Sequence, residues 1–194
     1  MRKGVSYAKV RRKIQTADIL LFRGRGCTSR VLSVAGRSPY THAAICVWHH
    51  NVLLCAEFRE FRGGRSVNLS SQVRRFPGRI DVFRAPSLAK LPAIREAIGD
   101  TMLRWTGQQY NWRGILAASF LHLPLIRVFA TPDLRRENGS GDDRPRYCSQ
   151  AVSDVYQLES GLDLVPQLPG RLSEPADLAR SAALAIVFEG LTPP

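Results

Sequence analysis

Two short apolar segments around a polar turn constrain the fold of this 194-residue chain more than any other feature. Ala43–Trp48 and Val52–Ala56 are made of small, β-branched and other apolar residues, and His49, His50 and Asn51 lie between them. Apolar runs of this length on either side of a polar turn are typical of a β-hairpin. We therefore predict two adjacent antiparallel strands in the first half of the chain.

Further strands and helices are predicted on both sides of this hairpin from apolar periodicity and from glycine and proline positions. The strands are Ile19–Phe22, Arg79–Arg84 and Ala185–Phe188, the helices are Leu91–Trp105, Trp112–Leu121, Ser149–Leu158 and Ser173–Ala182, and Gly63–Gly64 is a break. Three to five strands with three or four helices predict an α+β domain.

The length and composition are consistent with one folded domain over residues 1–194. Hydrophobic residues make up 44% of the chain and charged residues 23%, which is ordinary for a globular protein. Residues 131–146 carry almost no apolar side chain, so we expect a charged, mobile surface loop there.

Neither a secretory signal nor a membrane span is predicted. Met1–Thr16 is basic without the apolar run that a signal peptide needs, and Ile115–Ile126 is interrupted by Ser119, His122 and Pro124. We therefore expect a cytoplasmic protein, unless it is phage-encoded or delivered by another route.

The charge of the chain is strongly positive. Its 28 lysines and arginines against 16 acidic residues give a formal net charge of +12. Such a surface attracts nucleic acid, anionic lipid headgroups or an acidic cell-wall polymer, although solubility alone is an alternative explanation. The basic residues are scattered with no run of five or six, so nucleic acid is the least favoured partner.

Cys148 is the cysteine best placed for chemistry. It lies where a polar loop enters a predicted helix, and free amide groups together with the helix dipole stabilise a thiolate at that position. Cys46 and Cys55 lie inside apolar strands and Cys27 in a glycine-arginine loop, where cysteine is commonly a small buried hydrophobe. Without a secretory signal we expect free thiols.

His42 is the best candidate for the base that a cysteine nucleophile needs. It begins a predicted strand, which is a rigid place to present a side chain. His49 and His50 lie at a hairpin tip, where solvent exposure explains them, and His122 lies within an apolar segment typical of a core.

A zinc site is an alternative, because Cys46, His49, His50 and Cys55 fall within ten residues. Their spacing matches none of the familiar zinc frames, and strand alternation directs some of them to opposite faces. The Gly24–Gly26 pair lacks the third glycine of a dinucleotide fingerprint. We therefore predict neither a metal nor another cofactor.

Five blocks in order carry a family resemblance: Ala17–Gly24, Tyr40–Ile45, Glu57, Tyr147–Val152 and Ser173–Ala179. In this order they resemble the YiiX/YebB-like branch of the NlpC-type cysteine peptidase superfamily. The resemblance implies a circularly permuted papain-like fold, in which an antiparallel sheet packs against helices and the histidine strand precedes the cysteine helix. It also implies that Cys148 is the nucleophile, His42 the base and Glu57 the residue that orients the imidazole.

The resemblance further implies a cysteine hydrolase that acts by acyl transfer on an amide or ester bond. Relatives cleave peptides of the cell wall, and the lecithin-retinol acyltransferase branch moves acyl chains on lipids. The expected substrates are thus a peptide, a cell-wall fragment or a lipid-like acyl compound. Tyr40 is a candidate for substrate binding, or else a packing residue. The alternative function of the protein is that of a catalytically silent basic module that binds an anionic polymer.

Strand alternation makes the role of Glu57 depend on the length of the hairpin turn. A two-residue turn at His49–His50 places Glu57 opposite His42, where its carboxylate can accept a hydrogen bond from one imidazole nitrogen and leave the other for Cys148. A three-residue turn places His42 opposite Phe58 and turns Glu57 to the other face of the sheet.

Overall fold

A six-stranded antiparallel sheet forms the centre of the molecule in a computed structural model, which describes residues 4–24, 38–111, 145–168 and 173–193. The strand order is β5-β4-β3-β2-β6-β7. The strands are β2 (Ile19–Arg23), β3 (Tyr40–His49), β4 (Val52–Arg59), β5 (Gly63–Asn68), β6 (Arg79–Arg84) and β7 (Ala185–Phe188).

Short elements at the two chain ends and five helices complete the described structure. Strand β1 (Val5–Ser6) pairs in parallel with β8 (Leu191–Thr192). The helices are α1 (Tyr7–Val10), α2 (Leu69–Arg75), α3 (Pro92–Arg104), α4 (Cys148–Ser160) and α5 (Pro175–Arg180), with 3-10 turns at Arg11–Lys13 and Pro86–Leu88. This arrangement confirms the predicted α+β class, with more strands than the three to five that the sequence indicated.

The sheet separates two apolar clusters, because side chains alternate between its faces. Helices α3 and α4 cover one face, where Ile45 and Ala56 of the hairpin meet Trp105 and Tyr156. The opposite face buries Cys46 and Cys55 together with residues of α1 and α2. Truncating a large side chain in either cluster costs about 2–5 kcal/mol, so both clusters hold the sheet in place.

The prediction that Gly63–Gly64 breaks the chain is wrong, because both glycines begin strand β5. A side chain on Gly64 would place its Cβ 2.2 Å from the carbonyl oxygen of Trp105. The backbones approach this closely because the Gly64 amide donates to Gln108 O (2.8 Å) and the Gly107 amide donates to Gly64 O (2.7 Å). Here glycine permits close packing of a strand against the end of α3.

The helix predicted from Ser173 begins at Pro175 instead, and it ends at Arg180. Glu174 is the N-cap residue, and its amide donates to the Asp177 carboxylate at 2.9 Å. Ser173 is buried and forms a hydrogen bond with helix α4, in which the Ser149 hydroxyl donates to Ser173 O at 2.7 Å. The predicted helix is thus present, and its N-cap residue is Glu174 rather than Ser173, because Ser173 makes a contact between distant segments.

Several expectations fall on parts of the chain that the structure does not describe. They concern the helix at Trp112–Leu121, the surroundings of Cys27 and His122, and the loop at 131–146 up to residue 144. Within the described ranges, no helix has the length and apolar character needed to cross a bilayer.

Candidate active site

The β3–β4 hairpin sets the positions of the predicted base and its partner. Its paired residues run from His49 opposite Val52 to Ile45 opposite Ala56, so the turn consists of the two residues His50–Asn51. The predicted even turn is confirmed, but it lies one residue later than His49–His50. Continuing this register places Glu57 across from Ala44, so the prediction that Glu57 lies directly opposite His42 is wrong.

His42 and Glu57 are nevertheless in contact, because a shift of two residues keeps both side chains on one face. The His42 Nε2 atom lies 2.6 Å from Glu57 Oε2. His42 is 6% exposed and Glu57 is 1% exposed, so this contact is shielded from water. The ring of Phe22 meets the imidazole edge to face at 5.1 Å between centroids and fixes its orientation further.

The second oxygen of Glu57 is held by two residues that the sequence did not suggest. Arg65 lies directly opposite Glu57 on β5, and its Nε and Nη2 atoms donate to Oε1 at 2.8 and 2.5 Å. The Gln72 side chain on α2 donates to the same oxygen at 2.8 Å. These bonds leave Oε2 free for the imidazole and prevent the carboxylate from rotating away.

Cys148 is the first residue of α4 and is 4% exposed. The first hydrogen bond of this helix joins the Ala151 amide to Tyr147 O at 2.9 Å. The amides of Cys148, Ser149 and Gln150 therefore precede the helical ladder and point out of the helix start. Helix α4 packs on β3 and β4, and its first residue, Cys148, lies beside His42 of β3.

The structure brings Cys148 and His42 together. The two side chains are neighbours, and Cys148 is one of the groups that raise the pKa of His42. Since Nε2 of the imidazole is occupied by Glu57, Nδ1 is the nitrogen left for the thiol. A thiol, an imidazole and a carboxylate thus lie side by side in a buried row.

Electrostatic interactions stabilise a positive charge on His42 and a negative charge on Glu57. Burial lowers the pKa of His42, but the Glu57 carboxylate and Cys148 outweigh it and raise that pKa to about 10. Burial raises the pKa of Glu57, yet His42, Arg65 and Arg59 lower it to about 2. The pair is therefore an imidazolium and a carboxylate at neutral pH.

The other two cysteines in the described residues, Cys46 and Cys55, are part of the apolar core. Cys46 and Cys55 face each other across β3 and β4, are free thiols and are completely buried. Burial raises the pKa of both thiols, which disfavours the reactive thiolate.

The residues weighed for zinc do not converge. Cys46 and Cys55 are buried in the core below α2, whereas His49 and His50 are exposed at the hairpin tip. Across the part of the chain that the structure describes, no three histidine, cysteine or acidic side chains are grouped as metal ligands.

Tyr40, the candidate for substrate binding, is the first residue of β3, the strand that carries His42, but its hydroxyl is engaged. It donates to Asp81 Oδ2 at 2.6 Å and accepts from Arg23 Nη2 at 3.0 Å. Asp81 also accepts the Gly190 amide at 2.6 Å, so Tyr40 belongs to a network that joins β2, β3 and β6 to the chain end. A different tyrosine, Tyr110, lies near Cys148: burial and then Cys148 raise its pKa.

Comparisons with known proteins identify the fold. The architecture is that of an α+β protein in which the helix that begins at Cys148 packs on an antiparallel sheet. Neither a family model nor a curated protein matches the sequence. Among solved structures, the chain is similar to the metalloprotein YiiX from Escherichia coli O157:H7 (DUF1105), with a TM-score of 0.61 and 18% identity over 92% of this chain and 98% of YiiX. The predicted YiiX-like resemblance is thus confirmed at the level of the fold.

Proposed function

We propose that this protein is a cysteine hydrolase in which Cys148 is the nucleophile, His42 the base and Glu57 the residue that orients and charges the imidazole. The contact of His42 with both Cys148 and Glu57 carries the proposal. A buried histidine between a thiol and a carboxylate is the arrangement that activates a cysteine for acyl transfer. The order of these residues in the sequence fits the permuted papain-like arrangement that the family resemblance implies.

The reaction begins with the thiol proton on His42 Nδ1 and negative charge on the Cys148 sulfur. The sulfur attacks an amide or ester carbonyl, and the imidazolium then donates its proton to the leaving amine or alcohol as the carbon–heteroatom bond breaks. A thioester to Cys148 remains. Water, deprotonated by the same imidazole, hydrolyses this thioester and regenerates the thiol.

The start of α4 supplies stabilisation for the negative oxygen of the tetrahedral intermediate. The Cys148 amide precedes the first bond of the helical ladder, so its N–H is available beside the attacked carbon. The positive end of the helix dipole acts in the same direction.

A peptide-like amide is the substrate class that the resemblance favours, and no metal takes part in the steps above. YiiX is described as a metalloprotein, but the described residues of this chain lack a group of three suitable ligands. The proposed steps use the side chains and backbone amides named above.

Trapping of an acyl-enzyme tests this function without knowledge of the natural substrate. The purified protein is mixed with p-nitrophenyl acetate, quenched with acid and mapped by mass spectrometry. We expect a burst of p-nitrophenol and one acetyl group on the peptide that contains Cys148, both absent in Cys148→Ser and both kept in the matched control Cys27→Ser. Acetylation that persists in Cys148→Ser, or that never reaches Cys148, would refute the assignment.

A further inference from the structure

Arg59 brings a cation to the catalytic pair. It is the last residue of β4, and its Nη1 atom lies 3.6 Å from Glu57 Oε2, the oxygen that binds His42. The Arg59 side chain is 33% exposed, whereas Glu57 is buried. The guanidinium therefore extends from the buried catalytic pair toward solvent.

The bonding of Arg59 differs from that of the other arginines next to buried carboxylates. Arg65 donates two hydrogen bonds to Glu57, and Arg84 donates two to Asp18 at 2.6 Å each. The Arg59 guanidinium makes no hydrogen bond to any described part of the chain, and its distance to Glu60 is 4.0 Å. Its planar set of donors, which suits a carboxylate, remains available.

The positive charge of Arg59 is not balanced by a further negative charge in direct contact with it in the described part of the chain. The single negative charge of Glu57 is already neighboured by the Arg65 guanidinium and by the His42 imidazolium. Glu60 is a half-exposed carboxylate at a distance where solvent screens the pair. Arg59 and Cys148 both act on the pKa of the same side chain, Tyr110, so the positive potential of Arg59 extends to the surroundings of Cys148.

We propose that Arg59 binds a carboxylate of the substrate, so that the enzyme prefers peptide or amide substrates with an acidic group beside the scissile bond. This inference rests on the proposed function and names the substrate class of the same site. Bidentate pairing with the guanidinium would fix the substrate relative to Cys148 as well as attract it. The net charge of +12 strengthens the same preference at longer range.

Two alkylating reagents of nearly equal size test this proposal: iodoacetate carries a carboxylate and iodoacetamide does not. Each forms a carbon–sulfur bond to Cys148 as iodide leaves, while the thiol proton stays on His42. The ratio of the two rate constants at Cys148 is measured by quenched mass spectrometry and divided by the ratio for free cysteine. The His42 imidazolium attracts iodoacetate in every variant, so only changes between variants are interpreted.

We expect Arg59→Gln to lower this ratio about fivefold, and any change that acts through Glu57 and His42 on both rates cancels in the ratio. The matched control Arg62→Gln removes an exposed arginine from the following turn and should change the ratio less than about twofold. Arg59→Met, which keeps the aliphatic length, serves as a second neutral variant if Arg59→Gln folds poorly.

The outcomes separate the two proposals. If Cys148 reacts no faster than the other thiols in the unmodified protein, the proposed function fails. If Cys148 is reactive but Arg59→Gln and Arg62→Gln give the same ratio, the carboxylate site fails and the hydrolase assignment stands. An equal loss of both alkylation rates in the Arg59 variants would also overturn the site, because Arg59 would then act on His42 and Glu57 alone.

Discussion

The Nε2 atom of His42 lies 2.6 Å from Oε2 of Glu57, and water is excluded from both side chains. A carboxylate can only accept at this distance, so the imidazole proton shared with Glu57 must reside on Nε2. In the neutral imidazole, Nδ1 then carries the lone pair that receives a proton from Cys148. Glu57 thus selects the tautomer of His42 that can act as a base.

Glu57→Gln should slow acetylation of Cys148 by p-nitrophenyl acetate at pH 7 on the order of 10²-fold. The neutral amide cannot stabilise the imidazolium, although it can keep the ring near its position. The loss should be smaller than in Cys148→Ser or His42→Ala, because an orienting group supports the base without replacing it. A Glu57→Gln variant that reacts at the full rate would leave Cys148 and His42 as a dyad.

Arg65→Gln should affect both stability and reactivity, because Arg65 holds the Glu57 carboxylate with two hydrogen bonds. We expect the free energy of unfolding in urea to fall by about 2 kcal/mol and the acetylation of Cys148 to slow as well. Arg75→Gln removes an exposed arginine from α2 and should stay within about 0.5 kcal/mol. Equal behaviour of the two variants would show that Arg65 does not position Glu57.

The raised pKa of His42 gives stability a pH dependence with a definite sign. The folded pKa of about 10 exceeds the ordinary value of 6.5, so the folded protein holds an additional proton between these values. The stabilisation is complete below pH 6.5 and is lost as the pH rises toward 10. Urea unfolding from pH 6 to 10 should therefore show a fall in the unfolding free energy that His42→Gln reduces. Parallel curves for the two proteins would contradict the raised pKa.

Tyr40→Phe separates a structural role from substrate binding. Loss of the hydroxyl removes the donor to the buried Asp81 carboxylate, so the unfolding free energy should fall by about 1.5–3 kcal/mol. We expect iodoacetamide to label Cys148 within about twofold of the unmodified rate. A variant of unchanged stability with impaired turnover of a peptide substrate would instead support the substrate-binding role of Tyr40.

The apolar patterns predicted those parts of the fold that depend on local sequence. Strand β6, helix α3 and the Cys148 helix were predicted because their apolar periodicity coincides with the face each buries. Strand β5 was not predicted. Gly63 and Gly64 are needed there because the backbone that follows α3 packs closely against them, and the local sequence does not reveal this contact.

Alternation along the strands also predicted the shared face of His42 and Glu57, but not their offset. The turn consists of His50, whose backbone is left-handed (φ 48°), and Asn51, one residue later than predicted, and this displaces the register by two residues. Arg65 and Gln72 could not be predicted as partners of Glu57, because strand β5 and helix α2 were not themselves predicted.

The reactivity of Cys148 toward iodoacetamide at pH 6, with and without His42, tests the central claim most directly. Brief labelling and peptide mapping should modify Cys148 before Cys27, Cys46 and Cys55, because the raised pKa of His42 keeps a cation beside the Cys148 side chain and burial protects the two strand cysteines. His42→Ala should slow this labelling at least about tenfold, since the thiolate then loses its counter-ion. Labelling of another cysteine first, or an unchanged rate in His42→Ala, would contradict the assignment of Cys148 and His42 as nucleophile and base.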